Sequence, residues 1–153
     1  MQLFREMADC GIERDTIAYS AAVSACEKGR RWNLALQLFR EMAADRLDRN
    51  TITYSAAASA CEKGVEWVQV LQLFRDMADC RVDRNAITYN AAVSACDKGQ
   101  QWVQVLQLLR ELVDDHVKRD TITCNAAIRT CEHFTQGRQI LQLFRELEDV
   151  VCL

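Results

Sequence analysis

The sequence contains no proline and only five glycines among its 153 residues. Because these residues dominate flexible connections, their scarcity leaves no room for a linker or a low-complexity segment. No apolar run approaches the roughly 18 residues that a membrane helix needs, and the N-terminus lacks the apolar core of a signal peptide. These absences predict a soluble chain without a membrane partner.

Familiar metal-binding patterns are also missing. No two of the eight cysteines form a C-x-x-C pair, and the only histidines, His116 and His133, do not combine with them into a zinc pattern. We therefore expect no metal and no cofactor. Four cysteines recur at one equivalent place, flanked by alanine and serine: Cys26, Cys61, Cys96 and Cys131. That setting favours reduced thiols packed as small hydrophobes, with disulfides as the alternative.

The charge balance narrows the function further. A formal net charge of −3 and a pI near 5.4 argue against a broad basic surface, so any contact with nucleic acid has to be local. A catalytic site needs a positioned nucleophile, base or metal ligand, and the candidate groups here are either periodic or isolated. The sequence thus predicts a protein that is not an enzyme.

A 35-residue repeat organises the whole chain. The block Thr16 to Asn50 aligns without a gap on Thr51 to Asn85, with 24 of 35 positions identical. A fixed period of this size indicates stacked supersecondary units. The predicted divisions are a half repeat at 1–15, complete repeats at 16–50, 51–85 and 86–120, and a truncated repeat at 121–153.

Each repeat begins like a helix. A short polar residue suited to an N-cap precedes every copy: Asp15, Asn50, Asn85 and Asp120. An apolar stripe at helical spacing follows in the first copy: Tyr19, Ala22, Val23 and Cys26. The Thr-Ile-Thr-Tyr start by itself resembles a strand, but a strand would leave the following alanine-rich segment without a face. Gly29, Gly64 and Gly99 stand where a left-handed helix stop is expected.

A second amphipathic segment completes each unit. In the first copy it runs from about Arg31 to Ala44, with an apolar face of Trp32, Ala35, Leu36, Phe39 and Met42. The pattern predicts nine helices in four and a half hairpins. The expected fold is all-α, a solenoid of stacked antiparallel helix pairs wound into a right-handed superhelix.

A second face of the first helices is not explained by burial. It combines a stiff hydrophobe, small polar groups and a cation, as in Ile17, Ser20, Ser24 and Lys28. The same face recurs at each step of the period. In a solenoid such a row lines one groove and presents a repeated chemical pattern, which is how a linear polymer is read.

The period and two motifs resemble the pentatricopeptide repeat family. The motifs are T-I-T-Y-[SN]-A-A-x-S-A-C-[ED]-K-G in the first helix and L-Q-L-[FL]-R-[ED]-[ML] in the second. The resemblance implies binding of single-stranded RNA in a chloroplast or mitochondrion, in RNA processing, stability or translation. No targeting segment is visible. Arginine replaces the proline that family members often carry near the end of the repeat, which we expect to loosen the turn: Arg14, Arg49, Arg84 and Arg119.

The resemblance also assigns roles to residues. The base-reading residues it implies are the pairs Ser20 with Asn50, Ser55 with Asn85 and Asn90 with Asp120, together with the single Asn125. The base-sandwiching residues are Ile17, Ile52, Ile87 and Ile122. By the family's pairing, serine with asparagine implies adenine and asparagine with aspartate implies uridine, so the expected core is A-A-U.

Lys28, Lys63 and Lys98 resemble the phosphate-facing lysines of the family. The alternative is that they are ordinary C-terminal helix charges that complement the macrodipole. A second alternative concerns the whole array, because a helical-repeat scaffold for protein partners suits the acidic balance. Peptide-binding grooves usually present larger and more varied side chains than isoleucine with serine or asparagine, which favours RNA. Neither end has a distinct polar capping repeat, so we expect either a fragment of a longer array or a chain that self-associates end to end.

Overall fold

The computed structural model describes residues 15–118 and 120–133. Within these ranges the chain forms seven α-helices of 13 residues each and no strand. The helices are α1 (Thr16–Lys28), α2 (Trp32–Ala44), α3 (Thr51–Lys63), α4 (Trp67–Asp79), α5 (Ala86–Lys98), α6 (Trp102–Asp114) and α7 (Thr121–His133). The other two predicted helices lie outside the described residues.

The helices form two layers. The odd-numbered helices pack on one another in sequence, so that α1 contacts α3, α3 contacts α5 and α5 contacts α7. Each even-numbered helix packs against the odd helix before it and the odd helix after it. This arrangement is the predicted α-solenoid of helix hairpins. The odd-numbered helices form one layer, called the inner layer here, and the even-numbered helices form the other, the outer layer.

The core follows the predicted stripes with two exceptions. Tyr19, Val23 and Cys26 are buried in α1, whereas Ala22 is only half-buried. On the second helix, Trp32 is only half-buried. The other predicted core residues are buried: Ala35, Leu36, Phe39 and Met42. The tryptophan therefore packs at the margin of the core and not at its centre.

The predicted N-caps are confirmed in all four described repeats. The side-chain Oδ1 atom of Asp15 accepts a hydrogen bond from the Ala18 amide at 2.8 Å. Asn50 and Asn85 make the same bond at 3.0 Å, and Asp120 makes it at 3.1 Å. These bonds satisfy amides of the first turn that have no partner inside the helix.

The left-handed helix stop is displaced by one residue from the glycine. Gly29, Gly64 and Gly99 have φ angles of −79°, −84° and −80°, so the prediction that they are left-handed is wrong. The left-handed residue is the one after the C-cap, whether or not the C-cap is glycine. Its φ lies between 53° and 61° at six described helix ends: Arg30, Arg46, Val65, Arg81, Gln100 and His116. Each of these helices ends in the paired hydrogen bonds of a Schellman motif.

Gly64 and Gly99 are required for a different reason. A Cβ atom built on Gly64 would lie 2.3 Å from Cδ1 of Trp32, and one on Gly99 would lie 2.5 Å from Cδ1 of Trp67. At Gly29 the nearest neighbour of such an atom is the Ala25 carbonyl oxygen, at 3.4 Å. Glycine therefore allows the tryptophan of one repeat to lie flat against the helix end of the next.

The arginine that replaces proline strengthens the connection between repeats. The guanidinium of Arg84 donates to the Phe74 carbonyl oxygen from Nε at 3.3 Å and from Nη2 at 3.0 Å. It also pairs with Glu111 at 3.1 Å and lies 3.8 Å from the centre of the Phe74 ring. The expectation that arginine loosens this turn is wrong at Arg84. Arg14 and Arg119 lie outside the described residues.

Buried tyrosines complete the junctions at Tyr54 and Tyr89. The hydroxyl of Tyr54 donates to Asp76 at 2.7 Å, and the hydroxyl of Tyr89 donates to Asp115 at 2.5 Å. Burial, followed by these hydrogen bonds, raises the pKa of both phenols above its ordinary value of 10.0. The edge of the Tyr54 ring meets the Phe39 ring at a centroid distance of 4.8 Å, so each second helix is tied to the following repeat.

Candidate functional site

Four isoleucines form an exposed row on the inner layer of helices. Their side chains are 78%, 66%, 55% and 50% exposed at Ile17, Ile52, Ile87 and Ile122. Each is the second residue of its helix, at the spacing of the sequence repeat. A stiff apolar side chain exposed at every step does not contribute to the core, so this row is available to a ligand.

The two serines predicted to read bases are bonded to their own helices. Ser20 Oγ donates to the Thr16 carbonyl oxygen at 2.6 Å, and Ser55 Oγ donates to the Thr51 carbonyl oxygen at 2.6 Å. Ser20 is half-buried and Ser55 is buried. The hydroxyl proton is used in this way, so each oxygen can act towards a ligand only as an acceptor, through its two lone pairs.

The last residue of a repeat is also the N-cap of the next helix. Because Oδ1 of Asn50 and of Asn85 accepts the capping bond, the cap fixes which way round each amide lies. The Nδ2 group then remains as a pair of donors. The hydrogen bond that caps the next helix therefore leaves the Nδ2 donors of the amide available to a ligand.

The third pair is joined directly. Asn90 Nδ2 donates a short hydrogen bond to Asp120 Oδ2. Among the predicted pairs that the structure describes, this is the only pair whose two members are hydrogen-bonded to each other. The other oxygen of Asp120 caps the next helix through the amides of Ile122 and Thr123. Asn90 Oδ1 is buried without a hydrogen-bond partner. Asn125 is exposed.

Two of the predicted phosphate-facing lysines are paired with carboxylates. Lys63 Nζ lies 2.9 Å from Glu27 Oε1, and Lys98 Nζ lies 2.5 Å from Glu62 Oε1. In both cases the carboxylate belongs to the last turn of the preceding odd-numbered helix. Lys28 is exposed and makes no ion pair with the residues that the structure describes.

The carboxylates were not among the predicted site residues. A third one, Asp97, pairs with Arg129 at 3.1 Å, and Ser94 Oγ donates to Glu62 at 2.7 Å. The signal was present in the sequence, because an acidic residue precedes the cation in every repeat, as Glu27-Lys28, Glu62-Lys63, Asp97-Lys98 and Glu132-His133. Its pairing across repeats depends on the offset between helices, which the sequence alone does not provide.

Residues 15–118 and 120–133 contain no group of three His, Cys, Asp or Glu side chains placed to hold a metal ion. Among the helices the structure describes, none is both long and apolar enough to cross a membrane.

The fold and this periodic site define a class of protein, the α-solenoids built from helix hairpins. The family model of the pentatricopeptide repeat domain matches residues 2–63. The sequence pattern within that match recurs in the later repeats, so the similarity to this family extends along the chain at the 35-residue period. No curated protein matches the chain.

Solved structures of this family have the same fold. The PPR domain of Arabidopsis thaliana protein-only RNase P 1, in complex with tRNA, is 13% identical with a TM-score of 0.84, over 98% of this chain and 79% of that chain. PPR10 from maize is 19% identical with a TM-score of 0.72, over 99% of this chain and 22% of that one. PPR10 in complex with an 18-nt psaJ RNA element is 22% identical with a TM-score of 0.69, over 86% of this chain and 20% of that one. This chain therefore matches about a fifth of PPR10.

Proposed function

We propose that the chain binds single-stranded RNA along the inner layer of helices, one base at each repeat. The observation that carries the proposal is the exposed isoleucine row, which offers an apolar surface for base faces at a regular interval. The RNA complexes of two similar structures support it. The similarity to the family also supports a role in organellar RNA processing, stability or translation.

The hydrogen-bonding state of the reader residues supports A-A-U as the preferred core, read from the N-terminal to the C-terminal repeat. Asn50 and Asn85 offer donors, because their oxygens are used as caps. A donor suits the N1 acceptor of adenine, and the small Ser20 and Ser55 leave space for a purine. Asp120 offers only acceptors, which suits the imino N–H of uridine, and the longer Asn90 favours a pyrimidine.

The test exchanges a donor for an acceptor without removing a helix cap. In the variant Asn85→Asp, one carboxylate oxygen can cap Thr88 as Asp120 caps Thr123, and the other replaces the amide donors. We expect the preferred base at the second position to shift from adenine towards guanine, whose imino N–H donates. Fluorescence anisotropy with short RNAs varied at that one position measures the shift.

A matched variant separates base reading from folding. Asn85→Ser retains a capping oxygen but is too short to contact a base in the same way, so it should lose discrimination while the helix persists. RNA binding with an unchanged preference in Asn85→Asp would contradict the assigned readout. If no single strand binds to any variant, the alternative of a protein-binding scaffold replaces RNA binding.

A further inference from the structure

A row of ion pairs crosses the inner layer of helices, and we name it the acid–base ladder. It consists of Glu27 with Lys63, Glu62 with Lys98 and Asp97 with Arg129. In each case the acid lies near the end of one odd-numbered helix and the base lies on the next odd-numbered helix. The ladder therefore connects every pair of consecutive inner helices that the structure describes.

The ladder shares a face with the isoleucine row. Lys63 follows Ile52 by eleven residues on α3, which is about three helical turns, so both side chains project from the same side of the helix. Lys98 has the same relation to Ile87 on α5. Eleven residues span about 16 Å along the helix axis, so the paired ammonium groups form a second row on the same face, parallel to the isoleucines. A strand whose bases contact the isoleucines can direct its phosphates towards that row.

The carboxylates in the ladder are better shielded from water than the lysines they hold. The Glu62 side chain is 16% exposed and also accepts from Ser94, whereas the Lys98 side chain is 47% exposed. For the first pair the values are 26% for Glu27 and 34% for Lys63. The acid is therefore the fixed member, and the lysine is the member that a ligand can reach.

A lysine in such a pair has little charge to offer a phosphate. Its electrostatic field is largely cancelled by the adjacent carboxylate, and an approaching phosphate meets that carboxylate as a like charge. A paired lysine also neutralises little phosphate charge, so few of the counterions condensed on the RNA are released and the salt dependence of binding stays small. Lys28, which makes no ion pair with the described residues, differs in this respect.

We propose that Glu27 and Glu62 are built-in competitors of the RNA phosphates and restrain the affinity of the array. They hold Lys63 and Lys98 in place of the polymer backbone, so the acid of one repeat sets the strength of the phosphate contact in the next. This inference rests on the proposed RNA binding. The inference adds two residues, Glu27 and Glu62, that set the affinity for RNA without contacting the RNA themselves.

The experiment compares Glu27→Gln and Glu62→Gln with the native chain, binding a single-stranded RNA that contains A-A-U over a series of salt concentrations. Each variant should bind about two- to fivefold tighter at low salt, the range expected for loss of a partly exposed ion pair. The slope of log affinity against log salt should steepen by about 0.7 for each lysine released.

Asp79→Asn is the matched control. It removes the same charge from the end of an outer helix, where the exposed Asp79 makes no pair with an inner lysine. It should leave the slope unchanged. Thermal melts monitored by circular dichroism show whether each variant retains the fold.

A second set of variants tests the coupling. Lys98→Gln in the native chain should weaken binding less than Lys28→Gln does, because Lys98 is already neutralised by Glu62. In the Glu62→Gln background, Lys98→Gln should abolish the whole gain in affinity. RNA binding with an unchanged slope in Glu27→Gln and Glu62→Gln overturns this inference alone. Failure of every folded variant to bind RNA overturns the proposed function as well.

Discussion

At the scale of single residues, the glycine that ends each first helix has a packing role that can be tested. Gly64→Ala places a methyl group against the Trp32 ring, at 2.3 Å from Cδ1 in the present arrangement. Because the ring must move, we expect a loss of about 1–3 kcal/mol in the free energy of unfolding. Urea unfolding followed by tryptophan fluorescence measures this loss.

Gly29→Ala is the control for that change. Its new methyl group meets only ordinary contacts, and its φ of −79° is open to alanine, so stability should stay the same or rise by about 0.4–1 kcal/mol. In a Trp32→Ala background, Gly64→Ala should lose most of its cost. An equal effect of alanine at both glycines would contradict the packing role.

The glycine also shows what the sequence can predict about a residue. A glycine that follows a segment of helical periodicity correctly predicted the end of the helix, because glycine is one of the few residues that interrupt such periodicity. The sequence did not indicate that its conformation is ordinary, or that Val65, a β-branched residue, takes the left-handed position. The same shift occurs after Gly29, which has no tryptophan against it, so it follows from the Schellman hydrogen bonds of the helix end and not from the glycine. The close approach of the Trp32 ring to Gly64 was equally hidden, because the ring becomes a neighbour only after folding.

At the scale of helices, the arginine at the end of the repeat joins one hairpin to the next. Arg84→Lys keeps the charge but loses the planar group that lies on Phe74 and donates twice to its carbonyl oxygen. We expect a loss of about 1–3 kcal/mol, the range for charged hydrogen bonds together with a cation–π contact. Chemical denaturation measures it.

Arg110→Lys provides the comparison for this element. Arg110 is exposed on α6, where an exchange of one cation for another should change stability by less than about 0.5 kcal/mol. If the two lysine variants unfold at the same denaturant concentration, the guanidinium contacts of Arg84 contribute nothing specific to stability. The sequence showed only that proline was missing here, and it could not show which groups arginine reaches.

At the scale of the whole molecule, the fold was far more predictable than the state of its groove. The helix starts at Thr16, Thr51, Ala86 and Thr121 follow from the period and from the capping residues, since each copy repeats the same local signals. The exposure of the four isoleucines followed from helical spacing. The Asn90–Asp120 bond and the acid–base ladder did not, because they depend on how far one helix is displaced along its neighbour.

The molecule should also lose stability in alkaline solution because of its repeated core. Burial raises the pKa of Cys61 and of Cys96 to about 12, from an ordinary value of 9.0. Between these two values the unfolded chain releases thiol protons that the folded chain retains, so rising pH favours unfolding. Stability is therefore fully present below pH 9 and falls progressively towards pH 12. The raised phenol pKa values of Tyr54 and Tyr89 act in the same direction.

Urea unfolding at a series of pH values measures this decline, and a variant with both Cys61→Ala and Cys96→Ala isolates the share of the thiols. The double variant should lose less stability than the native chain as pH rises through that window. Thiol labelling at neutral pH provides an independent measure, because the exposed Cys80 and Cys124 should react at once while Cys61 and Cys96 react only on unfolding. Equal alkaline slopes in the two proteins, or rapid labelling of the core thiols in the native state, would show that the periodic cysteines are not held in a closed core.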